Sequence, residues 1–379
     1  MKLLHLADMH IGKYLHKHSL LEDQKYILDQ ILAIAEEEQP DAVIIAGDLY
    51  QRSNPSPEAL TLCSRFLTAV SDLKIPCYLI SGNHDSAERV LYLSAFAERC
   101  GIHIAGGIPG EITEFRQDDA FGTVHFHLMP YFTPLQLRHS RPGELPELRT
   151  YEDAARYALS LHQPTPDSDR HIMVCHQFLT GAICCDSEEP AVGGLDNLPV
   201  SLFDQYDYVA LGHLHGPQSV GRSTIRYAGS PLKYSFSEVN QKKSVTIVEM
   251  RKKGDTDIRQ IPLRPLREMQ VLTSSFAELM QMPACDDYLQ IQLTDLLPPP
   301  DAARILRSVF PNLFLLTVRN GKQQDDQLTE IQALPEQTDF MTLLQDFYAM
   351  QNGGNTMSEP QTEIALRLLQ QLEKEVIAE

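Results

Sequence analysis

The chain has 379 residues, a formal net charge of −19 at pH 7 and 43% hydrophobic residues. This length allows two or three domains, and this hydrophobic content is typical of a globular protein. Its apolar runs are much shorter than the ~20 residues of a membrane-spanning helix, so we expect no membrane association. The first apolar stretch is cut by His5 and ends at Asp8, which argues against a signal peptide.

The cysteine content is consistent with a reducing compartment. None of the seven cysteines forms a Cys-x-x-Cys pair, so a disulfide framework is not expected. We therefore predict a cytoplasmic protein with reduced thiols.

Five short apolar runs are each followed by a side chain that can bind a metal ion. Unbroken apolar runs of four to six residues predict strands buried on both faces. In open α/β sheets, ligands gather at the carboxyl ends of the strands. The runs are 2–7, 42–46, 77–80, 172–175 and 208–211, and the side chains that follow them are Asp8, Asp48, Asn83, His176 and His213.

These side chains belong to short motifs with a common chemistry. A glycine precedes several of them and permits a tight turn. Any one motif could equally be an ordinary turn, but five together favour a two-metal centre. Oxygen and imidazole donors without thiolates suit manganese, iron or zinc. The motifs are Asp8-Met9-His10, Gly47-Asp48, Gly82-Asn83-His84-Asp85, the isolated His176, and Gly212-His213-Leu214-His215.

Helices are predicted between and after these strands. Apolar residues spaced by three and four form stripes over 20–34 and 59–73, which we expect to cover the sheet. A further helix is predicted over 151–161, inside a segment with prolines at both ends. Residues 245–248 are predicted as the last strand of a catalytic domain spanning 1–260.

A second module is predicted beyond Pro262 and Pro265, which indicate a stiff linker. It covers 261–335 and lacks catalytic motifs. Strands and helices alternate in it, which predicts a small α+β fold. The strands are 269–273, 288–293 and 313–318, and the helices are 276–280 and 301–309.

The segment 336–379 is predicted to be two amphipathic helices separated by Asn352-Gly-Gly-Asn355. Apolar side chains at helical spacing form one stripe in each helix. These stripes either pack on the preceding module or bind a partner protein. The residues that we assign to partner binding are Phe340, Leu344, Phe347, Leu368 and Leu372.

The order Asp-x-His, Gly-Asp, Gly-Asn-His-Asp, isolated His and Gly-His-x-His resembles the calcineurin-like metallophosphoesterase superfamily. Within it, 207–215, 227–238 and the C-terminal segment are similar to the SbcD exonuclease subunits. The resemblance implies an α/β fold, with a sandwich of mixed sheets flanked by helices. A small α+β capping domain and C-terminal helices would follow.

The resemblance also implies a role for each motif residue. The cofactors would be two divalent metal ions, foremost manganese. Asp48 would bridge them with one oxygen on each ion. His84 would be the catalytic histidine beside the metals, and Asp85 would orient its ring. The remaining ligands would be Asp8, His10 and His215 for one ion and Asn83, His176 and His213 for the other.

The implied function is a metal-dependent DNA nuclease subunit that acts at DNA ends and hairpins. It would be a 3'–5' double-strand exonuclease and single-strand endonuclease, gated by an SbcC-like ATPase as a homodimer within a heterotetramer. An acidic chain should bind duplex DNA weakly alone, which indicates a partner that supplies DNA contacts, although acidic surfaces also confer solubility. The alternatives are a phosphatase of phosphoproteins or small phosphate esters, and a non-catalytic scaffold for DNA ends.

Two features remain outside this interpretation. The protein phosphatases of the superfamily carry Gly-Asp-x-Val-Asp-Arg-Gly, which Gln51 and Ser53 do not match, so the role of Gln51 stays open. Arg52 stands at the phosphatase arginine position and could contact a phosphate, but a solvated surface residue is the favoured interpretation. His125 and His127 alternate on one strand face without a carboxylate in the same motif, and we expect them to have no part in catalysis.

Overall fold

The structure is a computed structural model that divides into two compact units, Met1–Gln270 and Val271–Glu379. For 368–376 it describes the backbone alone. All other residues are described except 93, 142–147, 163–167, 186–187, 189–196, 296, 319–340, 342–343, 346–347, 349–355 and 377–379.

The first unit contains two six-stranded sheets, of which the first is built around parallel strands. Its central strand over 42–46 is buried at every residue, as expected for an apolar strand with both faces covered. In spatial order the strands are β14 (Thr256–Pro262), β13 (Ser244–Met250), β1 (Lys2–Leu6), β4 (Ala42–Ala46), β5 (Cys77–Ile80) and β6 (Ile102–Ala105), with β13 antiparallel to β1 and β14.

The second sheet is also mixed. Its inner strands are parallel, and an antiparallel strand lies at each edge. In spatial order the strands are β11 (Gln218–Val220), β12 (Arg222–Tyr227), β10 (Tyr208–Gly212), β9 (Arg170–His176), β8 (Gly122–Met129) and β7 (Thr113–Asp119).

One apolar core joins the two sheets face to face. Ile44 and Tyr78 of the first sheet share this core with Phe126 and Val174 of the second. The rings of Tyr78 and Phe126 stack with centroids 3.9 Å apart. The unit is therefore the sandwich of mixed sheets that the sequence predicted.

Helices flank the sandwich. Ser56 begins α2 by accepting a hydrogen bond from the Ala59 amide, with proline at the next position. The helices of this unit are α1 (Leu21–Glu38), α2 (Pro57–Asp72), α3 (Ala87–Leu91), α4 (Ser94–Arg99), α5 (Pro134–Ser140) and α6 (Tyr151–Leu161), and a small hairpin pairs β2 (Tyr14–Leu15) with β3 (His18–Ser19).

The second unit is a small α+β module with its own core. β15 (Met269–Ser274) lies mostly within it and pairs with β16 (Tyr288–Leu293), which is parallel to β17 (Leu313–Val318). The apolar faces of α7 (Phe276–Leu279) and α8 (Ala302–Leu306) pack on these strands. The last helix is α9 (Glu359–Val376). Among the described helices, none has the length and apolar composition that a membrane crossing requires.

Candidate metal centre

Strands from both sheets end at the side chains that the sequence singled out. β1, β4 and β5 lead into Asp8, Asp48 and Asn83, and β9 and β10 lead into His176 and His213. Because the sheets pack face to face, these carboxyl ends meet at one edge of the sandwich. The structure brings all seven predicted ligands together there: six form two adjoining clusters, and Asp8 lies beside His176, with 3.9 Å between Oδ1 of Asp8 and Nδ1 of His176.

The first cluster contains His10, His215 and Asp48. The Nε2 atoms of the two histidines lie 3.1 Å apart, and Nε2 of His10 lies 3.6 Å from Oδ2 of Asp48. The three side chains are at most 3% exposed. Such a convergence of imidazole nitrogens on a carboxylate oxygen, away from water, suits a shared cation.

The second cluster contains Asn83, His176 and His213. Oδ1 of Asn83 lies 2.9 Å from Nε2 of His176 and 3.2 Å from Nδ1 of His213. Nδ1 of His176 lies 2.8 Å from the Ala46 carbonyl oxygen, which only a protonated nitrogen can approach as a donor. In the neutral ring, Nε2 therefore presents its lone pair to the cluster.

Asp48 lies between the two clusters. Its Oδ2 is 3.3 Å from Nε2 of His176 and also faces His10, whereas Oδ1 accepts a hydrogen bond from the His84 amide at 2.9 Å. Oδ2 therefore faces both clusters, and Oδ1 is held by the backbone. The expectation that each oxygen binds a different ion stays a prediction.

The carboxyl group of Asp8 is fully buried, and one of its two oxygens has no hydrogen-bond partner among the described residues. Its Oδ1 accepts the His213 amide hydrogen at 2.8 Å, while Oδ2 has no hydrogen-bond partner among the described residues. A buried acceptor without a partner costs about 1–3 kcal/mol. Burial raises the pKa of Asp8 to about 7. A bound cation would satisfy this oxygen and keep the carboxyl group ionised.

The charges of the centre depend strongly on one another. Burial by itself raises the pKa of Asp48, but His176 and His10 nearby hold it below the ordinary value. Burial likewise lowers the pKa of His176, yet Asp48 and Asp8 raise it to about 9. The pKa of His213 falls to about 3 through burial and the charge of His176. The carboxylates therefore favour positive charge between them, which divalent ions would supply.

The backbone at four predicted ligands is strained. Asp8, His10, Asp48 and His213 have φ values of 52°, 43°, 51° and 100°. Non-glycine residues rarely adopt this left-handed region, and each instance costs on the order of 1–3 kcal/mol. Four of the eight non-glycine residues with positive φ in the described part of the chain are these predicted ligands, which indicates that their backbone conformation serves function.

Two glycines allow the clusters to approach each other. A Cβ atom at Gly82 would lie 2.2 Å from Oδ1 of Asp48, and one at Gly212 would lie 1.8 Å from the Ala46 carbonyl oxygen. Both distances are far below van der Waals contact. These positions therefore require glycine, because the backbone of one motif packs directly against another motif.

The sequence pattern does not indicate the residues that support His215. Nδ1 of His215 lies 3.1 Å from Oε1 of the buried Glu238, and Nζ of Lys243 donates to Oε2 of Glu238 at 2.6 Å. A carboxylate on the far nitrogen of a ligating histidine fixes its tautomer and orientation. Glu238 stands 23 residues beyond His215, and no spacing rule links the two.

The predicted role of Asp85 is wrong. Its carboxylate accepts hydrogen bonds from the amides of Leu49, Tyr50 and Gly82 at 2.9–3.0 Å, which leaves it committed to the backbone. Nδ1 of His84 instead lies 3.1 Å from the carbonyl oxygen of Gln51. Asp85 therefore holds two motif loops together, and Gln51 orients the histidine through its main chain.

The predicted partner-binding residues are described only in part. Leu344 is half-buried, whereas Phe340 and Phe347 lie outside the described residues. Leu368 and Leu372 are in α9, and their side chains also lie outside the described part of the chain. Their assignment therefore stays a prediction.

The residues of the two clusters fit a pair of divalent ions. Every donor is a carboxylate or amide oxygen or an imidazole nitrogen, which are ligands that manganese, iron and zinc accept. Oδ2 of Asp8, which is buried without a hydrogen-bond partner among the described residues, is placed to contact a cation. One oxygen of Asp48 facing both clusters is the geometry expected of a bridging ligand.

Comparison with family models matches both parts of the chain. A model described as calcineurin-like phosphoesterase matches residues 1–217. A second model, described as Type 5 capsule protein repressor C-terminal domain and named SbcD_C, matches residues 265–352. The first match contains every predicted metal ligand.

Among solved structures, a dimetal phosphatase from Danio rerio has a TM-score of 0.42 and 12% identity, and the match covers 70% of this chain and 98% of that chain. TT1561 from Thermus thermophilus has a TM-score of 0.38 and 13% identity, with 68% and 98% covered. Likeness at this level supports no functional conclusion.

Two curated relatives are much more similar. Both are named as the D-type subunits of nuclease SbcCD, and they come from Staphylococcus saprophyticus and Staphylococcus epidermidis. Each is 33% identical over 92% of this chain and 92% of its own length. With the phosphoesterase model matching more than half of the sequence, the chain belongs to the calcineurin-like phosphoesterases, a family that uses divalent metal ions, and within it to the SbcD nuclease subunits.

Proposed function

We propose that the chain is a two-metal-dependent DNA nuclease that hydrolyses phosphodiester bonds at DNA ends and hairpins. The observation that carries the proposal is Oδ2 of Asp48, which lies 3.3 Å from Nε2 of His176 and 3.6 Å from Nε2 of His10. One carboxylate oxygen thus faces two ligand clusters. When bound, two ions supply an activated water and stabilise charge on the phosphate oxygens.

His84 is the proposed proton donor of the reaction. Its ring lies 4.8 Å from that of His10, centroid to centroid, so it stands beside the metal clusters. Nδ1 contacts the Gln51 carbonyl, so this nitrogen keeps its proton and Nε2 exchanges one. A protonated Nε2 can donate to the phosphoryl group or to the leaving sugar oxygen, which a phosphodiester needs because its leaving group is poor.

We propose manganese as the preferred ion and a cytoplasmic role in DNA repair, recombination and replication. The expected activities are 3'–5' double-strand exonuclease and single-strand endonuclease. The net charge of −19 opposes binding of a long duplex by this chain alone, because phosphate contacts dominate such binding. An SbcC-like ATPase would supply the missing contacts and gate access to duplex ends.

The proposed assembly uses the part of the chain beyond the catalytic domain. We assign 1–260 to the nuclease domain, 261–335 to a capping domain that arranges DNA, and 336–379 to the partner-binding segment. Two copies of the chain would form a homodimer within a heterotetramer with the ATPase. The names of the SbcCD relatives and the second family match support a partner subunit for this chain, and the number of copies of each subunit is part of the proposal.

The test compares cleavage rates on single-stranded DNA, blunt duplex DNA, hairpin DNA and a phosphoserine peptide. Each substrate is assayed with manganese or magnesium, with and without an SbcC-like ATPase and ATP. We expect manganese-dependent cutting of single strands and hairpins by the chain alone. Cutting of duplex ends should require the ATPase, because the acidic chain lacks its own duplex contacts.

A His84→Ala preparation controls for contaminating nucleases, since its rates should fall on every DNA substrate together. Rapid peptide dephosphorylation without DNA cleavage would overturn the nuclease assignment in favour of a phosphatase. DNA binding without cleavage of any substrate would favour the scaffold.

A further inference from the structure

Histidines also collect at a second place, on the outer face of the second sheet. His125 and His127 alternate along β8, and His171 lies beside His125 in register on β9. Side chains two residues apart share a face of a strand. Farther along, this face carries Met129 and Met173, which pack under α6. The apolar side chains on this face therefore lie under α6, and the histidine side chains lie on the same face near the C-terminal end of α6.

The two neighbouring elements complete the group. His162 directly follows α6, and Glu114 is the antiparallel partner of His127 across β7 and β8. Nδ1 of His127 lies 2.6 Å from Nε2 of His162, which lies 3.7 Å from Oε2 of Glu114. Ligand atoms on a tetrahedral zinc ion, with bonds of ~2.0–2.1 Å, lie roughly 3.4 Å apart. The separation of the two histidine nitrogens is shorter than this value, and the separation of His162 and Glu114 is longer.

We propose that Glu114, His127 and His162 form a second metal-binding site, of the zinc class, that is independent of the nuclease centre. Two imidazoles and one carboxylate are donors that zinc accepts. The side chains of His162 and Glu114 are each 18% exposed. An ion can therefore enter from solvent, and water can occupy the fourth position.

Further side chains hold these ligands in place. Nε2 of His127 contacts Nδ1 of His171 at 2.9 Å, and Oε1 of Glu114 contacts Nδ1 of His125 at 2.9 Å. Both His127 and Glu114 thus use one atom for the ion and have the other polar atom fixed by a neighbour. This division of roles is characteristic of protein metal sites.

The protonation states also favour metal binding at neutral pH. Burial lowers the pKa of His127 to about 3 and lowers the pKa of His162. Burial raises the pKa of Glu114, but hydrogen bonds from His125 and Arg116 bring it down to about 2. Both imidazoles are therefore neutral and the carboxyl group is charged, which are the forms that bind a cation.

The site is separate from the nuclease centre. His171 and His176 are five residues apart on β9, which corresponds to about 16 Å along a strand. Because five is odd, their side chains point to opposite faces of the sheet. An ion held by Glu114, His127 and His162 would join β7, β8 and the end of α6, and would stabilise this face of the sandwich.

The experiment measures zinc content per chain in the full-length protein after loading with zinc chloride and desalting. His162→Ala removes a partly exposed ligand, and Glu114→Gln removes the carboxylate charge with little change in shape. We expect each variant to contain one zinc fewer than the wild type and to lose part of the zinc-induced rise in Tm. His139→Ala, an exposed histidine on α5, is the matched control and should behave like the wild type.

Equal zinc content in the wild type and both variants would overturn the proposal and leave a hydrogen-bonded histidine network. In separate samples loaded with manganese chloride, manganese content reports on the nuclease centre and should be the same in the variants and the wild type. If His162→Ala also loses manganese, the zinc content of Glu114→Gln decides whether the site exists, because this substitution changes the side-chain shape less. The readout does not include nuclease activity, so a failure of the proposed function would not affect this test.

Discussion

At the scale of single residues, a His84 variant tests whether catalysis can be separated from metal binding. Its amide donates to Asp48, but its ring contacts Gln51 and no predicted ligand through a hydrogen bond. His84→Ala should therefore lower DNA cleavage by about 10²–10⁴-fold, the usual contribution of an acid–base group, while metal content stays at the wild-type level.

Elemental analysis and single-turnover cleavage on the same preparations check this expectation. His213→Ala is the contrasting variant and should lose metal together with activity. A cleavage rate unaffected by His84→Ala would show that another group donates the proton.

Glu238 offers a residue-scale prediction that only the structure suggests. Glu238→Gln keeps the shape but removes the charge that orients His215 and pairs with Lys243. Loss of such a contact typically weakens metal binding by ~10–100-fold. Calorimetric titration with manganese measures the change.

Glu268→Gln is the control for Glu238→Gln, because Glu268 pairs with Lys233 and is 42% exposed. It should leave manganese affinity unchanged. Equal affinity in Glu238→Gln and the wild type would mean that the histidine is held by other contacts.

The sequence was informative about single residues wherever chemistry and position coincide. Asp8, Asp48 and His176 each follow an apolar run of the length typical of a buried strand, and the strand ends of one sandwich meet. The contacts that support these residues could not be predicted. Asp85 accepts hydrogen bonds from backbone amides, and Gln51 contacts His84 through its own carbonyl oxygen. Such contacts depend on loop conformation, which no residue pattern specifies.

At the scale of elements, the C-terminal stripes yield the clearest prediction. Phe347→Ala combined with Leu368→Ala should weaken binding of an SbcC-like ATPase more than tenfold. Large apolar anchors at an interface commonly contribute over ~2 kcal/mol, and ~1.4 kcal/mol is a factor of ten. Pull-down titration gives the affinity, and thermal melting shows whether the fold is intact.

Leu366→Ala is the matched control, because Leu366 is 45% exposed on α9 and lies off the predicted stripe. The double variant should retain manganese-dependent cutting of single-stranded DNA and lose ATP-stimulated cutting of duplex ends. Reduced melting temperature with undiminished partner binding would show that the helices belong to the core.

Elements with strong apolar patterns were predictable, and exposed ones were not. The helix predicted over 151–161 occurs as Tyr151–Leu161. β13 was expected to be the last strand of the catalytic domain, but Thr256–Pro262 continues the sheet beyond it. That edge strand contains no buried residue, so its sequence lacks the apolar signal that identifies a strand.

At the scale of the whole molecule, Arg170 connects the two sheets. This almost fully buried side chain starts β9 and donates to Asp119 of β7 at 3.0 Å. It also donates to the carbonyl oxygens of Met250 and Arg251, at 3.2 and 2.8 Å, beside the first sheet. Burial raises the pKa of Asp119, but its contacts with Arg170, the amino group of Met1 and the Phe121 amide together lower the pKa below the ordinary value.

These contacts of Asp119 predict a pH-dependent contribution to the free energy of unfolding. A carboxyl group whose pKa is lower in the folded state stabilises the fold above its unfolded pKa of ~3.9, and this contribution is lost as the pH falls towards the folded value. Asp119→Asn should therefore be less stable than the wild type at pH 7, and the difference should shrink below about pH 4.

Urea unfolding at pH 7 and pH 3 measures the difference. Asp118→Asn, at an exposed neighbouring position, should match the wild type at both values. A stability difference between Asp119→Asn and the wild type that does not change with pH would show that packing, rather than charge, makes residue 119 important.

The predicted ligands come from both sheets, with Asp48 from the first and His176 from the second. Ions bound between them therefore bind the folded chain and not the unfolded one. A ligand present at 100 times its Kd adds ~2.7 kcal/mol to the free energy of unfolding. In a cell starved of divalent metal, more chains would unfold and meet proteases. The abundance of the protein would then follow the metal supply, and the cell would not accumulate nuclease that it cannot activate.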